Sequence, residues 1–362
     1  MEDAREWLAL TLVPGVPLGA QRTLLDALGS PRAIAGTDPA IIESLVGAEV
    51  ARALATAPDA ALVDKTLTWL QRPRCRLLVK GSSEYPAALR EVHGAPVVLY
   101  AEGRIELLNA PAFAIVGSRN ATAMGSQDAQ AMAHALSDAG LTIVSGLALG
   151  IDAAAHRGGL AGMASSVAVM GTGADIRYPR RNAPLAEQLA AEGCVITEFA
   201  LGTPSARENF PRRNRLISGL SRGVLVVEAA LGSGSLITAK YALEQNRDVF
   251  AVPGSIHATL SKGCHWLIKE GAKLVESADD ILLDLGMAAG DSSCEQGYGP
   301  PMSRDPILEV MGFAPMSFDE FAMHTGLGAA TLAAQLAKLE VEGRIEVLPG
   351  GRFQRARRRD IE

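Results

Sequence analysis

Residues 207–230 read RENFPRRNRLISGLSRGVLVVEAA. Its second part, Val224 to Ala230, is an apolar run with Glu228 as its one polar residue. Apolar character on successive residues, rather than on alternate ones, is what a strand covered on both faces requires, as in a parallel sheet. The first part sets Phe210 among Arg207, Arg212, Arg213 and Arg215, with Glu208 as the sole acid. Guanidinium groups keep their charge and present a planar fork of donors, so a group of this density suits phosphate. Phe210 offers a flat face on which a nucleobase can stack. A solvated charge run beside one core Phe is the plain alternative for this segment taken alone.

On either side of this stretch, short apolar runs recur at Arg76–Val79, Val97–Tyr100, Phe113–Val116, Thr142–Val144, Ser166–Met170, Val195–Thr197, Val224–Val227 and Asp248–Val252. Helical periodicity fills the later intervals, at Ser126–Ala139, Asp152–Leu160, Ala183–Ala191, Asn214–Leu220, Ser235–Gln245 and Cys264–Glu270. Strands and helices alternating at this spacing predict parallel βαβ units, hence an α/β protein with a doubly wound parallel sheet over residues 73–286.

The flanks differ. Residues 1–72 carry helical periodicity only, at Trp7–Leu12, Leu24–Leu28, Ile41–Leu45 and Leu62–Leu70. The segment Leu12–Ser30 has the look of a helix-hairpin-helix, but Pro17 stands where a second hairpin glycine is usual and removes an N–H. That favours a structural or protein-contact role over DNA contact. Residues 287–304, rich in Gly, Ser and Pro, read as a linker. Beyond it, residues 305–362 give three short helices, then Arg344–Leu348 and Arg352–Gln354 turned by Gly350-Gly351, a winged helix-turn-helix with the basic tail RFQRARRRD. Its expected recognition helix offers Thr331, Gln335 and Lys338 against Glu340 and Glu342, a poor set for reading base edges.

Composition narrows the function classes. With 362 residues, the chain has room for two or three domains. It is 48% hydrophobic but 4% aromatic, so its core rests on aliphatic residues. A net charge of −6 confines any nucleic-acid contact to a local basic patch. Cys75, Cys194, Cys264 and Cys294 are widely spaced with no C-x-x-C pair, the pattern of reduced structural thiols in a cytoplasmic protein. The start, MEDAREWLAL, lacks the basic region of an export signal, and no apolar run approaches the ~18 residues of a membrane span.

In an open parallel sheet, ligands bind at the carboxyl ends of the strands. Here those ends carry Gly117-Ser118-Arg119-Asn120, then Ser145 to Asp152, then Gly171 to Asp175 followed by Ile176 to Arg181, then Gly232 to Lys240. Ser/Gly turns at helix starts can direct free N–H groups at an anion. Each alone reads as a cap. Four on one edge, with arginines in neighbouring segments, predict a long cationic groove.

Enzymatic patterns are missing. There is no G-x-x-x-x-G-K-[ST] for a P-loop, and no G-x-G-x-x-G opens the first βα unit. Asp152 and His156 have the spacing of a metal pair on a helix but lack a third ligand, so a capping Asp and a packed His is the better reading. Glu198 and Glu228 sit at strand ends, where they serve either as catalytic carboxylates or as anchors for arginines and loops.

Taken together, AIVGSRN (114–120), SGLALGIDAAAH (145–156), GTGADIRYP (171–179), FPRRNRLISGLS (210–221) and VVEAALGSGSLITAKYALEQNRDVFAVPG (226–254) resemble the DNA-processing protein family DprA, also called Smf. The resemblance is dense over residues 80–285. It implies an extended Rossmann-like core that dimerises, flanked by a helical domain and a winged helix. It also implies a cytoplasmic, non-enzymatic mediator of natural transformation. Such a mediator binds and protects incoming single-stranded DNA, displaces single-strand-binding protein and loads RecA, with no cofactor. It places a DNA-binding arginine at Arg119. Motif position adds Arg177, Tyr178, Arg180, Phe210, Arg212, Arg213 and Arg215, and the turns add Gly117, Ser118, Ser145, Gly146, Gly150, Asn214, Ser235 and Lys240. At Cys264-His265-Trp266 the chain departs from the family, which commonly has Asn before the Leu-Ile pair. The alternative of a LOG-like nucleoside-monophosphate phosphoribohydrolase needs P-G-G-x-G-T-x-x-E; here Pro253-Gly254 is followed by Ser255-Ile256-His257.

Overall fold

A computed structural model describes residues 2–287, 306–311, 315–348 and 350–355. Two compact units divide at Ala289 and Gly290. Residues 288–304 of the expected linker, Cys294 among them, and the basic tail from residue 356 lie outside the described residues.

The first unit is built on nine strands: β1 (Cys75–Val79), β2 (Val98–Gly103), β3 (Ala112–Val116), β4 (Thr142–Ser145), β5 (Ser166–Val169), β6 (Cys194–Thr197), β7 (Gly223–Val226), β8 (Asp248–Ala251) and β9 (Lys273–Leu274). They lie side by side in the order β1-β2-β6-β5-β4-β3-β7-β8-β9. From β6 to β9 every pairing is parallel, while β2 runs antiparallel to both β1 and β6. The sheet is therefore mixed and mostly parallel.

Alternate residues of the central strands enter different cores, which is why these strands are apolar throughout. Ala112, Ala114 and Val116 of β3 and Val224 and Val226 of β7 pack under helices Asn209–Leu220 and Ser235–Glu244. Phe113, Ile115 and Leu225 pack on the other face, under helices Ala123–Asp138 and Ile151–Ala161. Both faces of the sheet are thus covered, as a doubly wound arrangement requires. Chain order reverses at β3: its crossover leads toward β4 and that of β7 toward β8, which makes the gap between them the switch point of the sheet.

The amino-terminal helices, Glu2–Thr11 through Ala60–Leu70, share a core with Cys75, Val98 and Tyr100 of the sheet, with Val97 just before β2, and with Ala174 and Leu201 of the loops after β5 and β6. Lys65 extends that contact to the β5 loop through an ion pair with Asp175 at 2.6 Å.

The second unit has helices Pro306–Met311, Phe318–Thr325 and Ala329–Val341 and a three-stranded sheet of Met316–Ser317, Arg352–Arg355 and Ile345–Leu348 in that order. Phe321, Leu332, Leu336 and Leu339 form its core. Helix Phe318–Thr325 begins with a capping box between Ser317 and Glu320 and ends at Gly326 in the left-handed conformation. This is a winged helix.

Candidate nucleic-acid interface

The loops at the carboxyl ends of β3 to β7 are fastened to one another by short polar contacts. Gly150, at φ +74°, brings the β4 loop so close to the β3 turn that a Cβ there would lie 2.2 Å from Ser118 O. Ile151 N donates to the same oxygen at 3.1 Å. Asn182 joins the β5 loop to the β4 loop, its Nδ2 donating to Leu147 O at 2.9 Å and Ala148 O at 3.0 Å. Helix Asn209–Leu220 crosses these ends, with Asn209 Nδ2 donating to Gly171 O at 3.1 Å and Asn214 Nδ2 reaching Gly234 O of the β7 loop at 3.3 Å.

These turns are not open anion cradles. Glu228 O accepts from Ser118 N at 2.7 Å. Its carboxylate accepts from Thr122 N at 2.9 Å and Thr122 Oγ1 at 2.6 Å, at the start of helix Ala123–Asp138. A carboxylate thus stands where a Rossmann-type nucleotide site would hold phosphate. Asp152 does the same in the β4 loop, accepting from Gly146 N at 3.1 Å and Ala148 N at 3.3 Å. Burial pushes the Asp152 carboxyl upward, opposed by nearby Arg213 and these two N–H groups. The N–H groups of Ser118, Thr122, Gly146 and Ala148 in these two turns are therefore already engaged, which corrects the expectation that they are free. The serine hydroxyls are also engaged locally: Ser145 donates to Ile115 O at 2.6 Å, and Ser235 pairs with Ser233 at 2.8 Å.

Asp152 and His156 do not form a metal pair. His156 is fully buried, accepting at Nε2 from Leu147 N at 3.2 Å and donating from Nδ1 to Ser166 Oγ at 2.7 Å. That tautomer follows because Ser166 Oγ itself donates to Ile143 O. Burial, with Arg213 and Arg157 adding to it, holds the ring down at about 3, so it is neutral. Among the described residues no cluster of three His, Cys, Asp or Glu side chains is placed to hold a metal. The described cysteines are buried thiols without disulfides, and burial lifts Cys75 to about 11 and Cys264 to about 12, which leaves them poor nucleophiles.

The arginines divide sharply. Arg213 is 4% exposed and donates from Nη1 to Gly146 O at 2.7 Å and to Val169 O, and from Nε to Asn214 Oδ1 at 3.2 Å. Burial pulls it down to about 10, with Asp152 acting in the opposite sense. Arg215 is buried against Glu198 at 2.5 Å, and Arg212 reaches the same oxygen at 3.2 Å while lying over the Phe199 ring. Glu198 is thus an anchor for two guanidiniums. Arg177 turns away from the loop surface to Glu102 at 2.6 Å and Ala174 O at 3.0 Å. For Arg177, Arg213 and Arg215 the expected outward-facing guanidinium is corrected to an internal one: Arg213 and Arg215 are buried and Arg177 pairs with the buried Glu102, while Arg215 Nη1 has no hydrogen-bond partner. Lys240 lies on the outer face of its helix, paired with Glu244 at 3.8 Å.

What remains at the surface is a smaller group. Arg119 is exposed and makes no ion pair or side-chain hydrogen bond among the described residues; its guanidinium lies over the Phe210 ring, 5.2 Å from the centre. Tyr178, 42% exposed, sets its ring 5.8 Å from that of Phe210. Gly171 allows this: a Cβ there would sit 2.9 Å from Phe210 Cδ1. Phe210 is therefore half-buried and covered by Arg119, rather than an open base platform. Arg180, Arg181 and Arg207 are exposed, and none has a partner among the described residues.

Fold and site define a class: a Rossmann-like α/β protein whose nucleotide-phosphate positions are filled by its own carboxylates and whose loop surface is cationic and aromatic, followed by a winged helix. Residues 76–286 match the family described as DNA recombination-mediator protein A, and residues 300–351 match the DprA winged helix domain. The chain belongs to the DprA (Smf) family. It is 41% identical to Protein Smf of Escherichia coli K12 over 305 residues, covering 82% of this chain and 81% of that protein. To the DNA processing protein DprA of Streptococcus pneumoniae R6 it is 46% identical over 200 residues, covering 55% of this chain and 71% of that protein. The X-ray structure of S. pneumoniae DprA superposes with TM-score 0.70 at 36% identity, covering 78% of this chain and 97% of that one. A Helicobacter pylori DNA processing protein A, solved for its single-stranded DNA binding mode, superposes with TM-score 0.53 at 27% identity, covering 59% and 95%. No described helix is long and apolar enough to cross a membrane.

Proposed function

We propose that this protein is a non-enzymatic recombination mediator that binds single-stranded DNA of any sequence on the loops at the carboxyl ends of β3, β5 and β6. In this reading it acts in the cytoplasm as a homodimer during natural transformation, protects the incoming strand, displaces single-strand-binding protein and loads RecA. Family membership and the DNA-binding relative from H. pylori support it. The observation that carries it is the solvent-facing guanidinium of Arg119 over Phe210, with Tyr178 beside it and Arg180, Arg181 and Arg207 unpaired in the neighbouring segments. The carboxylates of Glu228 and Asp152 on the turn N–H groups speak against a small nucleotide substrate.

The test is a titration of oligo(dT) and a duplex of equal length at two salt concentrations. Four exposed arginines give a slope of log K against log salt of about −3 for a single strand. Preference for duplex, or a slope near zero, contradicts the reading. RecA loading is tested separately: on strands coated with single-strand-binding protein, RecA ATP hydrolysis should start sooner with the protein present, and an unchanged lag would refute that part.

A further inference from the structure

We infer that Lys65, in the amino-terminal helical region, is a positioning residue for strand binding: through Asp175 it sets the segment that carries Tyr178, Arg180 and Arg181. The inference rests on the single-stranded DNA reading above and gives the helical region a share in binding without contact to DNA.

Three observations carry it. First, Asp175 is a junction between elements. Its Oδ1 accepts from Gly202 N of the β6 loop at 2.7 Å, and its Oδ2 accepts from Lys65 Nζ of helix Ala60–Leu70 at 2.6 Å. A Cβ on Gly202, at φ +81°, would lie 3.7 Å from the same amine, so Lys65 meets both loops. Second, the chain just beyond Asp175 is held from the same side. Arg177 Nη2 donates to Glu102 Oε2 at 2.6 Å and its Nη1 to Ala174 O at 3.0 Å, while Arg72, two residues past that helix, reaches Glu102 Oε1 at 3.3 Å. Third, Tyr178 follows directly, 42% exposed with its ring 5.8 Å from that of Phe210, and Arg180 and Arg181 are exposed beyond it. Ala174 and Leu201, by contrast, are buried among the amino-terminal helices. The inner side of these loops is therefore packed on the helical region, and the residues offered to the strand lie on the side that faces solvent.

The discriminating experiment measures oligo(dT) binding by two variants of the full chain. Lys65→Met removes the amine, and Asp175→Asn keeps the shape and the acceptor for Gly202 N while removing the charge. Each should lower affinity roughly two- to fivefold, the bias that a partly exposed ion pair supplies, with the salt slope unchanged. The sign for Asp175→Asn is decisive, because deleting an acid near a bound polyanion would by charge alone raise affinity. The double variant should lose little more than either single one, and Lys65→Arg should bind like the wild type. Amide exchange at residues 174–179 of the free protein should quicken in Lys65→Met, and thermal unfolding confirms that the variants are folded. Three results would each overturn the inference while the DNA-binding reading stands. They are wild-type affinity in Lys65→Met, a fall of about 0.7 in its salt slope as for a lost phosphate contact, or tighter binding by Asp175→Asn. If the wild type does not bind oligo(dT), the DNA-binding reading itself fails.

Discussion

Replacing Arg213 by Met separates a buried anchor from a DNA contact. The side chain is 4% exposed and ties helix Asn209–Leu220 to the carboxyl ends of β4 and β5 through Gly146 O and Val169 O. Methionine fills much of the volume but leaves both carbonyls without this donor and Asp152 without its nearby cation. Each lost charged hydrogen bond costs about 1.5–3 kcal/mol, and stranding a buried charge raises the total to about 3–5 kcal/mol. For a unit of this size that corresponds to a melting temperature lower by roughly 6–15 °C. The assay is thermal unfolding by circular dichroism, alongside oligo(dT) binding at 25 °C and two salt concentrations. The expected outcome is a large loss of stability with an unchanged salt slope. A variant that melts within about 2 °C of the wild type while its salt slope falls by about 0.7 would instead make Arg213 a DNA contact, because that is the signature of a lost phosphate contact.

Further predictions concern the surrounding loops. Because burial holds His156 at about 3 against an ordinary 6.5, the unfolded chain takes up a proton below pH 6.5 that the folded chain refuses. Stability supplied by the neutral ring is complete above pH 6.5 and falls with pH, by about 3 kcal/mol at pH 4, and urea unfolding at pH 7 and pH 4 should show that share disappear in His156→Gln. Gly171→Ala places a Cβ 2.9 Å from Phe210 Cδ1, so the ring must shift, and DNA affinity should fall several-fold with little change in salt slope; unaltered affinity would separate Phe210 from the binding surface. Lys240→Ala should leave strand affinity within twofold, since that amine is paired with Glu244 on an outer helix face, and a larger loss measured by fluorescence anisotropy would extend the DNA path across that helix.

Much of the architecture is legible in the chain because burial on both sheet faces leaves an unbroken apolar signature. The runs around β1 to β8 all become strands. Strand direction carries no such signature, so the antiparallel edge formed by β1 and β2 is not readable from composition. Nor is β9, whose two exposed residues make no apolar run. At the site, the sequence marks which loops gather but not which arginines face out. One clue is present: Arg213, Leu216, Ile217 and Leu220 fall at i, i+3, i+4 and i+7 of one helix, which places Arg213 on its buried face. The pairing of Arg177 with Glu102 and of Thr122 with Glu228 joins residues far apart in the chain, and no local pattern announces either.

A strand lying on the carboxyl-end loops would shield their amides, and hydrogen exchange with and without oligo(dT) reads this out. Protection is expected at residues 117–120, 176–182 and 206–212, with no change at β1 or at helix Glu2–Thr11. Protection confined to the amino-terminal helices or to the winged helix, with those three loops unaffected, would contradict the account.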